Sequence, residues 1–127
     1  MPSPAPALIA VLEKRPRWAP ELQRQLLDRA IPVRACRSIR DLAEHVRNCL
    51  REQGRAVAVL DFDFSPGEVL YLVCALRNAG ASSVVIGEPG CRALEPSLRE
   101  LGVTAFHTLP LAGQRLAQEC VKLLQTM

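Results

Sequence analysis

Five short apolar runs alternate along this chain with segments whose leucines recur at helical spacing. Continuous apolar runs of this length, with little polar alternation, read as strands buried on both faces. Strands that alternate with helices through short connections make βαβ units. Their right-handed crossovers place helices on both faces of a parallel sheet. Five such units are too few to close an eight-fold barrel, which leaves an open, doubly wound α/β sheet of expected order 2-1-3-4-5. All 127 residues fit one domain, residues 1–127, of ordinary size.

The elements follow from local chemistry. Residues 7–12 form a first strand, and Pro20 sits near the start of a helix carried by Leu22, Leu26 and Leu27 that ends near Arg29. Residues 31–36 contain Pro32, which suits an edge strand. Ser38 and Asp41 resemble a capping box opening a helix with Leu42, Val46, Cys49 and Leu50 on its buried stripe, closed by Gly54. A third strand, 56–60, runs straight into Asp61-Phe62-Asp63. Ser65-Pro66-Gly67-Glu68 then reads as a capping box with proline at the first helical position, and the helix continues to Gly80. Residues 83–87 and 103–107 are the fourth and fifth strands. A short helix that Pro96 starts or kinks lies between them, and a last helix spans 111–124.

Composition closes off several function classes. About half of the chain is apolar and 23% is charged, which suits a folded globule. The longest apolar stretch, Ala5 to Leu12, is far short of the roughly 20 residues that cross a bilayer. No positive charge precedes it in Met1 to Pro6, so a signal peptide is not expected. The net charge of +3 comes from fourteen arginines and two lysines interleaved with thirteen acids. Nucleic-acid binding would call for basic residues gathered on one face, so it is not expected. Cys36, Cys49, Cys74, Cys91 and Cys120 are scattered, with no Cys-x-x-Cys pair. That argues against a disulfide framework and against a zinc site, and it points to a reducing cytoplasm.

In a sheet of this order the functional crevice lies beyond the C-terminal strand ends. The residues there are Glu13 after strand one, Asp61 and Asp63 after strand three, Gly87 and Glu88 after strand four, and Leu109 and Pro110 after strand five. Glu13 after strand one, Val59-Leu60-Asp61 closing strand three, Pro66-Gly67 soon after it, Gly102 before strand five and Leu109-Pro110 after it make the chain similar to the response-regulator receiver family over nearly its whole length. The resemblance implies a flavodoxin-like fold. It also implies an acid pair after strand one that binds a divalent metal with the strand-three aspartate, which accepts phosphate. A hydroxyl residue after strand four and a lysine before the final proline would hold the phosphoryl oxygens.

This chain departs from that pattern at the chemistry. Leu12 and Glu13 stand where two acids are usual, Gly87 followed by Glu88 where the hydroxyl belongs, and Leu109 where the lysine belongs. The expectation is an atypical, non-phosphorylated pseudo-receiver of two-component signalling. It would be a protein-interaction module and no enzyme, with Glu13, Asp61 and Asp63 left in a vestigial acidic pocket rimmed by Gly87, Glu88, Leu109 and Pro110. The alternative is a small-ligand or divalent-metal-binding flavodoxin-like domain in which Glu13 and Asp61, with Asp63, hold Mg²⁺.

Other sites are weaker. No G-x-G-x-x-G or small-residue phosphate loop is present, since Glu13 to Trp18 is bulky. His45 and His107 lack a nucleophile at any recognised spacing, and hydrogen-bonded structural roles are expected for both. Cys91 is the thiol best placed for exposure. Arg40, Arg47 and Arg51 read as an ion-paired helical surface. The resemblance carries a protein partner, or a homodimer mate, to the face of helix 4, strand 5 and helix 5, with Leu109, Leu111 and Leu124 as candidate contacts.

Overall fold

Each strand of the sheet divides its side chains between two separate cores. The computed structural model describes residues 5–126; the expectation about the leader falls partly on residues 1–4, outside that range. The strands are β1 (Ala7–Leu12), β2 (Val33–Cys36), β3 (Arg55–Asp61), β4 (Ser82–Gly87) and β5 (Ala105–Thr108). They form one parallel sheet of order β2-β1-β3-β4-β5, the order expected for this chain. The helices are α1 (Trp18–Gln25), α2 (Ile39–Arg51), α3 (Pro66–Ala79), α4 (Glu95–Leu101) and α5 (Gly113–Gln125).

Leu8, Ala10, Leu12, Ala56, Ala58 and Leu60 face α2, α3 and α4. Ile9, Val11, Val57 and Val59 face α1 and α5. Side chains alternate across a strand, so covering both faces makes β1 and β3 continuous apolar runs. No helix among the described residues is long and apolar enough to cross a membrane.

Several local expectations are corrected. Helix α1 starts at Trp18, two residues before Pro20, and stops at Gln25, which leaves Leu27 82% exposed. Ser38 caps α2 as expected, its hydroxyl accepting the Asp41 N–H at 3.0 Å. Ser65 makes no side-chain cap to α3, so that capping box does not form, although Pro66 occupies the first turn. Pro96 lies in the first turn of α4 and starts it. A 3-10 turn, Pro89–Leu94, precedes α4.

Gly54 does not take the left-handed conformation that closes a helix; Gln53 does, with φ 59°. Glycine is needed at 54 for a different reason. A Cβ there would lie 2.5 Å from the Pro6 carbonyl oxygen and 2.7 Å from that of Cys49. The close approach lets the Gly54 N–H reach Cys49 O at 2.9 Å and the Arg55 N–H reach Pro6 O at 2.8 Å, which starts the β1–β3 pairing. Because two of the three obstructing atoms are backbone oxygens and the third is the Cys49 sulfur, Gly54→Ala should destabilise the protein by about 1–3 kcal/mol, read as a lower urea midpoint with an unchanged slope.

Candidate functional site

The crevice at the C-terminal strand ends forms where β1, β3, β4 and β5 run out into loops. Glu13 follows β1 directly and is 7% exposed, one of two buried polar or charged residues among those described. Its Oε1 accepts the N–H of Trp18 and its Oε2 the N–H of Ala19, each at 3.0 Å. These are the first two amides of α1, where unpaired N–H groups and the positive helix end favour a carboxylate. Glu13 is therefore a remote cap that fixes α1 against the end of β1. This explains why the helix begins earlier than Pro20 suggests. Arg17 lies outside, its guanidinium 4.5 Å from the centre of the Trp18 ring, in cation–π contact.

Asp61 ends β3 and is half-buried, with its Oδ1 accepting the Asp63 N–H at 3.1 Å. That bond closes a 3-10 turn, Phe62–Phe64. Burial pushes the Asp61 carboxyl up. The charges of Asp63 and Glu13 add to the rise, while the Asp63 N–H and Arg17 oppose it. The Asp63 side chain is exposed. Two of the three expected acids are thus engaged with backbone N–H groups, and the third faces water.

The opposite rim is apolar and closed by backbone. Gly87 is buried at the end of β4, and its carbonyl accepts the Leu109 N–H at 2.9 Å. A Cβ on Gly87 would meet the Cys91 Cβ at 3.1 Å, so even a serine there would crowd the 3-10 turn that follows. Glu88 is exposed. Leu109 packs against the core shared by β1, α1 and α5, and the Leu109–Pro110 peptide is cis. Beside Glu13 on the α1 side lies an open concavity of about 460 Å³, walled by Lys14, Ala19, Pro20, Arg37 and Phe64.

Other sequence-picked residues fall elsewhere. His45 Nε2 lies 3.3 Å from Asp41 Oδ1 on the surface of α2. His107 Nε2 is buried 3.4 Å from Glu119 Oε1 without the alignment of a hydrogen bond, so the structural bond expected for His107 is not formed. Cys91 is only half-exposed and packs on the α2–α4 core. Burial raises the thiols of Cys36, to about 11, of Cys49, and of Cys120, to about 12. Leu124 is 5% exposed inside the α1–α5 core and cannot be a surface contact, which corrects that expectation. Leu109 and Leu111 are partly buried against the same core, and Leu94 is the exposed large apolar residue of this region.

The chain fold, a sheet of order β2-β1-β3-β4-β5 with helices on both faces, matches solved structures over nearly the full length. The chain has the fold of a response-regulator receiver domain. It is 21% identical to the receiver domain of the TMAO respiratory system response regulator TorR, covering 95% of this chain and 98% of that one at a TM-score of 0.74. A response regulator from Thermotoga maritima is 15% identical, with coverage of 94% and 98% and a TM-score of 0.77. The beryllofluoride-activated NtrC4 receiver domain dimer is 14% identical, with coverage of 94% and 97% and a TM-score of 0.73. No protein-family model matches the sequence, and no curated protein matches it. Within the receiver fold the strand-one acid is tied to a helix end here, a use that sequence spacing does not signal.

Two outcomes test this geometry. Glu13→Ala strands two first-turn amides and should cost about 2–3 kcal/mol in chemical denaturation, with Glu13→Gln intermediate because one acceptor survives. For Asp61 the folded carboxyl binds its proton more tightly than the unfolded one. Its charge therefore costs nothing below the ordinary value of 3.8, and the cost is complete once pH has passed the raised folded value. Asp61→Asn should accordingly raise Tm near neutral pH, and the gain should vanish in scans below 3.8.

Proposed function

We propose that this chain is a non-phosphorylated, receiver-like module of a signalling or regulatory pathway, acting through protein contacts and carrying no enzymatic activity. The observation that carries this reading is Leu109. At the position where the family resemblance puts a lysine, a partly buried apolar side chain packs against the core and its backbone N–H is tied to the Gly87 carbonyl. An acyl phosphate carries close to two negative charges and depends on charge-assisted contacts, which leucine cannot supply. Gly87 offers no hydroxyl, and the exposed carboxylate of Glu88 beside it would repel a phosphoryl group.

The magnesium reading has less support. Mg²⁺ demands near-octahedral oxygen ligands, and Glu13 would have to leave the end of α1 to become one. The acids of this pocket therefore fit poorly as a metal cage. The Asp61 carboxylate instead accepts the Asp63 N–H in the turn after β3, and the Asp63 carboxylate faces water.

Partner binding belongs to the face of α4, β5 and α5, where Leu94 is the exposed apolar contact. The dimer of the NtrC4 receiver domain supports a second copy of this chain as one such partner. Five free thiols, three of them buried, suit a reducing cytoplasm.

The decisive experiment is thermal unfolding with Mg²⁺, with and without beryllofluoride, since a ligand that favours the folded state raises its midpoint. The expected result is no shift in either condition. A shift with Mg²⁺ alone would restore the metal reading, and a further shift with beryllofluoride would overturn the loss of phosphorylation.

A further inference from the structure

We propose that Cys36, Asp41 and His45 form a binding site for a zinc-type divalent ion, with three protein ligands and a fourth position open to water or to a ligand from outside. One sulfur, one carboxylate oxygen and one imidazole nitrogen from these residues all lie within 4.8 Å of one another. The placement follows from the β2–α2 junction. Cys36 is the last residue of β2, and Ser38 caps α2 by accepting the Asp41 N–H at 3.0 Å. That tight turn sets the first two turns of α2 over the strand end. Asp41 and His45, four residues apart, then share the face above the thiol, with His45 Nε2 3.3 Å from Asp41 Oδ1.

The Asp41–His45 contact alone would be an ordinary helix-surface pair, and Cys36 alone an ordinary core thiol. Their convergence from two different elements makes a floor and a mouth. Cys36 is 2% exposed, while the His45 and Asp41 side chains are 39% and 43% exposed. A tetrahedral ion with bonds of about 2.0–2.3 Å sets its ligands roughly 3.3–3.8 Å apart, so small side-chain rotations complete the cage.

The donor set selects the ion. Sulfur, imidazole nitrogen and one carboxylate oxygen suit Zn²⁺ and Co²⁺, whereas Mg²⁺ and Ca²⁺ require oxygens. As the metal–sulfur bond forms, the Cys36 proton passes to solvent. The thiolate and the Asp41 carboxylate then balance the two positive charges, with His45 neutral. Cys36 pairs in register with Leu12, so this site sits at the same end of the sheet as Glu13; the thiol also lines the concavity beside Glu13, while Asp41 and His45 come from α2.

The test is Co²⁺ titration of the full chain after treatment with a chelator. One equivalent should bind with a thiolate-to-cobalt charge-transfer band and the visible bands of a tetrahedral ion. Zn²⁺ should displace it, and excess Mg²⁺ should not. Cys36→Ser should abolish the charge-transfer band. His45→Ala and Asp41→Asn, on half-exposed positions that tolerate change, should each weaken binding by at least about tenfold. Asp61→Asn should leave it unaltered. The proposal is overturned if the wild-type chain shows no charge-transfer band, if the band survives in folded Cys36→Ser, or if Asp61→Asn removes it. Should Cys36→Ser fail to fold, His45→Ala decides: unchanged affinity there refutes the site.

Discussion

A parallel sheet covered on both faces leaves its strands only their ends at which to meet water. Here β1 and β3 are buried along their length, so the polar groups at their C-terminal ends emerge together, beside the loops that follow β1, β3, β4 and β5. Whatever stands there must bind a ligand, pair with backbone, or face solvent, because an unpaired buried charge is costly. The fates of Glu13, Asp61 and Asp63 are three answers to that single constraint.

Glu13 shows how a pocket acid becomes structural. Once both carboxylate oxygens accept amides at the start of α1, the residue anchors the helix to the central strand, and α1 in turn covers Ile9 and Val11 with Trp18, Ala19 and Leu22. Holding that helix in place and releasing the carboxylate to a ligand are opposed demands. Across the pocket, Leu109 makes the parallel substitution: a core contact stands at a position the receiver resemblance gives to a cation. Both residues hold the scaffold around the pocket in one arrangement.

Much of this was legible in the chain. Alternating apolar runs and helical periods determined the five βα units, and with them the sheet end where Glu13, Asp61, Gly87 and Leu109 gather, because burial on both faces leaves a pattern in composition itself; the strand order was favoured by that pattern but fixed only in the folded sheet. Caps that act within one turn were partly legible: Ser38 and Asp41 pair as their spacing indicates. Ser65, with the same spacing to Glu68, makes no such bond.

What only the tertiary structure decided are contacts between elements. Glu13 reaches amides five and six residues away, a separation with no local signature, and its engagement shifts the start of α1 to Trp18. Gly54 reads as a helix terminator, but its requirement comes from the Pro6 carbonyl, more than forty positions away in sequence. Leu124 looks like a surface residue until α5 packs against the sheet. Cys36 stands apart from any second cysteine, and only the turn from β2 into α2 sets it beneath Asp41 and His45. Periodicity records which face of an element is buried, so it survives in sequence. Which atoms meet across elements depends on the relative placement of whole strands and helices, and no single segment carries that.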